Sequence, residues 1–133
     1  MPLIQSNPEV LTRYLYNSNY IRKSNQTVKW AAFMPNPKDN QTSVFRVLGL
    51  SESEIWNIAD CDVTPYQQNT IKGRADINSN DVINISVNRD KLFFYPKEPP
   101  YRHGTITGWS NQKSINKLLA LKLEDKANLR VNP

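Results

Sequence analysis

The chain has 133 residues, 38% hydrophobic, 10% aromatic and 22% charged, enough apolar material for one folded domain and too little length for two independent cores. Seventeen Lys and Arg against twelve Asp and Glu leave +5 and a pI near 9.4, a balance at which a polyanionic partner is worth testing. Cys61 is the only cysteine, which excludes an internal disulfide and any CxxC metal or redox pair.

In chain order, Asn7-Pro8 resembles a helix start, and Val10, Leu11, Tyr14 and Leu15 recur at helical spacing, so a first helix is expected over 8–17. A polar loop with Arg22 and Lys23 follows, then a strand over 27–34, broken by Pro35 and Pro37. Thr42 to Leu48 is the clearest strand. It runs through Gly49 into Ser51-Glu52-Ser53-Glu54, a capping box opening a helix from Glu52 to Ala59. Ile55, Trp56 and Ile58 should pack on that strand, and the acids of the first turn suit the helix dipole, which reads them as structural.

A short strand is expected over 71–77, a turn over 78–81 and a second, period-two strand over 82–87. Pro96, Pro99 and Pro100 make the stretch from Tyr95 to Arg102 an irregular connection before a strand over 105–109. Ser110 is the expected cap of a last helix, with Ile115, Leu118, Leu119, Leu121 and Leu123 as its apolar side and Lys113, Lys117, Lys122 and Lys126 as its basic side. The sum is a single α+β domain over 1–133, with a mostly antiparallel sheet of four or five short strands and about three helices.

The charges are unevenly placed. From Val10 to Phe33 they are Arg13, Arg22, Lys23 and Lys29 without an acid, and from Ser51 to Val63 they are Glu52, Glu54, Asp60 and Asp62 without a base. The basic stretch is interleaved with Tyr14, Tyr16, Tyr20 and Trp30, the mixture that stacks bases and neutralises phosphates; Arg13, Tyr20, Arg22, Lys23 and Lys29 are its candidate nucleic-acid contacts. The same residues also read as core aromatics and solvated bases.

His103 is the only histidine, and Arg102 precedes it. A proton shuttle beside a guanidinium fits acid–base work on a phosphate, and a hydrogen-bonded structural histidine fits equally. Arg74 and Asp76 stand two apart in a strand, hence on one face, as a local ion pair or as companions of His103. One His and one Cys are too few for a zinc site, and Glu124-Asp125-Lys126 falls on a helix rather than the strand a nuclease metal site needs. No Walker loop, GxGxxG or GxSxG occurs. No cofactor and no metal are expected. The start lacks a signal-peptide pattern and no run approaches a membrane span, so a cytoplasmic protein without membrane contact is expected.

Four blocks resemble a family of small bacterial cytosolic proteins without an assigned activity: Ala32-Phe33-Met34-Pro35; Ser43-Val44-Phe45-Arg46 through Gly49-Leu50-Ser51-Glu52 to Ile55-Trp56; Gly73-Arg74-Ala75-Asp76-Ile77; and Arg102-His103 through Ile106 to Gly108-Trp109. The likeness spans about 11–129 and departs at Gly104-Thr105. It implies a bacterial single-domain protein and gathers Arg46, Arg74, Asp76, Arg102 and His103 as a shared site. Two functions are expected on these grounds. The first is an accessory binding module of a bacterial multi-component system handling foreign nucleic acid, which meets nucleic acid or an acidic protein partner through the basic N-terminal surface. The alternative is a metal-independent enzyme acting on RNA or a nucleotide, with His103 as acid or base and the arginines holding phosphate.

Overall fold

A computed structural model describes residues 8–64 and 71–131. Six strands form one sheet in the order β10-β5-β1-β4-β9-β8: β1 (Val10–Leu15), β4 (Thr42–Arg46), β5 (Gly73–Asn78), β8 (Phe93–Pro96), β9 (His103–Thr107) and β10 (Asn128–Val131). Every pairing in it is antiparallel. Two small hairpins, β2 (Ile21–Arg22) with β3 (Thr27–Val28) and β6 (Ser86–Val87) with β7 (Asp90–Lys91), complete the strands. The three α-helices among the described residues are α1 (Glu52–Ile58), α2 (Ser79–Ile83) and α3 (Lys113–Lys126). The α+β class holds, with a main sheet wider than the four or five strands expected.

The largest departure is at the start. The residues expected to form a helix over 8–17 are instead β1, a central strand. Its two faces are both covered: Leu11 and Leu15 enter the core with α3, while Tyr14 enters a second core with α1. A strand buried on both sides loses its simple alternation, and Val10, Leu11, Tyr14 and Leu15 then imitate helical spacing. The β-branched and aromatic residues of Val10-Leu11-Thr12-Arg13-Tyr14 were the competing signal.

Other boundaries moved for local reasons. Only Thr27–Val28 of the expected strand over 27–34 is paired as a strand; Trp30–Phe33 coils into a 3₁₀ turn that buries Ala32 and Phe33. The expected turn over 78–81 is the first turn of α2, where the Asn78 side chain accepts from the Asn80 amide, and α2 takes Val82 out of the expected period-two strand. Part of the proline-rich connection is β8, whose edge position tolerates Pro96. The cap of α3 is Gln112, not Ser110, and Leu118 is exposed while Asn116, Leu119, Ala120 and Leu123 face inward. The capping box of α1 forms as expected, with Ser51 Oγ accepting from the Glu54 amide and Glu54 accepting from the Ser51 amide.

Alternation assigns the two faces of the sheet. Leu11, Val44, Ala75, Ile77, Phe94 and Ile106 form the larger core with α3 and the Trp30–Phe33 turn. On the opposite face, Tyr14, Phe45 and Val47 pack with Ile55 and Ile58 of α1. This short helix covers only part of that face. A glycine fixes the far corner: Gly108 has φ +91°, and a Cβ there would lie 2.0 Å from the Lys91 carbonyl oxygen.

Candidate functional site

The uncovered part of the second face is a cleft of about 730 Å³. Tyr14, Tyr16, Ser43, Phe45 and His103 line it together with Met34 to Pro37 and with Asp62, Val63, Pro99 and Pro100. The opening has a cause in the strand ladder. β1 and β4 pair only at Leu11–Arg46 and Thr12–Phe45, and Arg13 spans the gap beyond, donating from Nε to the Ala32 carbonyl and from Nη1 to the Ser43 carbonyl, each at 2.9 Å. Burial pulls the Arg13 pKa below its ordinary value, while Tyr16 and Tyr20 oppose the fall. Burial, reinforced by Tyr16, pushes the Tyr20 hydroxyl up to about 12, so it keeps its proton near neutrality.

His103 is held on both nitrogens. Nδ1 lies 2.8 Å from the Lys97 carbonyl oxygen and Nε2 lies 3.1 Å from Ser43 Oγ, and the ring stands edge-on to Phe45 at 5.3 Å. A carbonyl has no proton to give, so Nδ1 carries the hydrogen; in the neutral ring Nε2 then has the lone pair and accepts from the Ser43 hydroxyl. The Lys97 carbonyl is itself fixed, because the Lys97 amide donates to the His103 carbonyl at 2.8 Å and the His103 amide to that of Pro100 at 3.0 Å. Ser43 is exposed in the cleft lining. Sequence reasoning passed it over, because its place beside His103 follows from the register that sets Phe45 opposite His103, and register is invisible in a single strand.

The other four candidates of the catalytic set lie outside this cleft. Arg74 is 1% exposed; it makes a bidentate pair with Glu52 at 2.9 and 3.0 Å, donates from Nε to Asp76 at 3.0 Å, and stacks on Trp56. Asp76 also accepts from the Thr12 hydroxyl. This is the local ion pair, extended by α1. Arg46 pairs with Glu98 at 2.7 Å and more loosely with Glu9, and its Nε is buried without a hydrogen-bond partner. Arg102, with φ +63°, donates from Nη1 to the Arg46 carbonyl and lies against the Tyr101 ring. The hydrogen bond that the Ser43 hydroxyl donates to His103 and the neighbouring Arg13, rather than these arginines, define the cleft's chemistry.

The basic N-terminal set divides as well. Arg13 and Tyr20 line the cleft. Arg22 donates to Glu124 at 2.8 Å, and Glu124 also accepts from the Trp30 amide at 2.8 Å, which seats the β2–β3 hairpin on α3. Lys23 is exposed, Lys29 is half-buried beside Trp30, and the Lys117 ammonium lies 4.9 Å from the Trp30 ring centre. Lys113 stands one helical turn before Lys117. Lys117 and Trp30 are far apart in the sequence, and the fold brings the two together.

Among the described residues, no group of three or more His, Cys, Asp or Glu is placed to hold a metal ion, and no helix is long and apolar enough to cross a membrane. No protein-family model matches the chain, and comparisons with curated proteins and with solved structures find no match.

Proposed function

We propose that this protein is an accessory nucleic-acid-binding module whose contact surface is the basic side built by the β2–β3 hairpin and α3. The observation that carries this reading is Glu124, which ties Arg22 and the Trp30 backbone to α3, the helix whose Lys117 ammonium lies over the Trp30 ring. Lysines flanking an aromatic face neutralise phosphate and offer stacking to an unpaired base. Arg22 belongs to the scaffold of that surface rather than to its free charge.

Fluorescence anisotropy of labelled single-stranded RNA, single-stranded DNA and duplex DNA at about 50 and 200 mM salt tests the reading. Binding should weaken with salt, and Lys23→Glu, Lys29→Glu and Lys117→Glu combined should lower affinity by at least about tenfold and flatten the salt slope. Unchanged affinity in the triple variant, or no binding to any probe at the lower salt, would overturn it and point to an acidic protein partner instead.

One observation favours a second reading, that of a metal-independent enzyme: His103 faces a cleft large enough for a small substrate, with Nε2 directed at a hydroxyl. For RNA or a nucleotide, the cleft offers Arg13 as the phosphate partner, while Asp39 and Asp62 on its walls oppose an anion.

A further inference from the structure

We infer that Ser43, His103 and the Lys97 carbonyl form a nucleophile, base and orienting group for acyl transfer, and that the cleft takes an uncharged or cationic carboxylic ester. The three requirements of an activated serine are met in one line of hydrogen bonds: a hydroxyl exposed to the cleft, a histidine lone pair 3.1 Å from it, and a fixed acceptor 2.8 Å from the far nitrogen that sets the tautomer. The orienting acceptor here is a main-chain oxygen held in the turn that joins β8 to β9, so it needs no carboxylate. Arg13, whose Nη1 bonds the main-chain carbonyl of Ser43, puts a guanidinium into the lining of the same cleft, and its Nη2 makes no hydrogen bond among the described residues. Burial in the protein strengthens such a charge toward a developing oxyanion.

The walls choose the substrate. Met34, Pro35, Pro99, Pro100 and Phe45 suit an apolar acyl chain. Asp39 and Asp62 stand against a phosphate or carboxylate, and favour a neutral or positively charged ester. In the step itself, Ser43 Oγ forms a bond to the ester carbonyl carbon as its proton passes to His103 Nε2, and the carbonyl oxygen becomes an oxyanion facing Arg13. Collapse breaks the bond to the alcohol oxygen, which takes the proton from Nε2 and departs. Water then attacks the acyl-serine, giving a proton to Nε2; collapse frees the carboxylic acid and returns that proton to Ser43. The sum is ester plus water to acid plus alcohol.

This site is independent of the basic side on α3; it shares the cleft, His103 and Arg13 with the phosphate-directed reading, and the two differ in the substrate they take. The test is treatment with a fluorophosphonate, followed by intact mass and peptide mapping, beside hydrolysis of p-nitrophenyl acetate and hexanoate. One adduct per chain at Ser43 is expected, absent in Ser43→Ala, with the labelling rate and ester turnover lowered at least about a hundredfold in His103→Gln. Unchanged melting temperatures in both variants keep that loss separate from misfolding. No adduct in the wild type, an adduct elsewhere, or labelling indifferent to His103→Gln would overturn the inference. Hydrolysis of bis(p-nitrophenyl) phosphate but of neither ester would overturn it too, and return His103 to phosphate chemistry.

Discussion

Arg74 and His103 lie on the same face of the same sheet, linked by the registers Arg74–Tyr14, Thr12–Phe45 and Phe45–His103. Their surroundings differ completely. Arg74 lies under α1, where two carboxylates and an indole engage all three of its guanidinium nitrogens and its charge. His103 lies beyond the end of α1, anchored through Nδ1 and aimed through Nε2 at an exposed hydroxyl in a cleft. A polar group whose partners all belong to the fold stabilises the fold; one fixed on one side and open on the other is prepared for something that arrives. Seven helical residues of α1 decide which half of the face is which.

The sharpest way to break this comparison is to remove the charge from the covered half. Arg74→Met keeps the length of the stem but leaves Asp76 and Glu52 without their cation. Arg74 is buried and Asp76 nearly so, while Glu52 is exposed and keeps its water, so the cost falls on Asp76, whose lost charge-assisted hydrogen bond is worth about 2 kcal/mol, and urea unfolding should show a loss of that order. A loss below about 1 kcal/mol would mean the cluster is as dispensable as a surface pair, and the distinction between the two halves would fall.

A smaller effect should appear at Glu52, and it should depend on pH. Hydrogen bonds from Arg74 hold its carboxyl below the ordinary value of 4.5. A depressed carboxylate contributes its stability fully above the unfolded pKa and loses it as pH falls through the lower folded value. Glu52→Gln should therefore melt below the wild type at about pH 6, and the gap should close toward pH 3. A gap that stays constant across that range would show that the pairing charge is not what Glu52 supplies.

These two halves were unequally legible in the sequence. The capping box placed the start of α1 at Glu52, because its signal is local and chemical. Arg74 and Asp76 were visible as a same-face pair, since alternation in a strand needs no partner. Neither Glu52 as the third member nor Ser43 beside His103 was visible, because both depend on pairings between segments 22 and 60 residues apart. β1 misread as a helix shows the same limit from the other side: what disguised it was burial on both faces, a property of the sheet rather than of the segment. Arg22 looked like free charge for a similar reason, its neutralising Glu124 being 102 residues away.

The smallest expected effect is the one that sharpens the comparison most. In His103→Gln, the two side-chain hydrogen bonds to Lys97 and Ser43 and the edge contact with Phe45 are at stake. Each hydrogen bond is worth about 1 kcal/mol net when its partners are cut off from water, but Ser43 and Lys97 are exposed and water replaces what is lost. Glutamine can also still donate toward the Lys97 carbonyl. Urea unfolding should accordingly move by less than about 1 kcal/mol, against the larger loss in Arg74→Met. A loss equal to that of Arg74→Met would make His103 a structural member of the sheet, and the cleft would lose its claim to a prepared base.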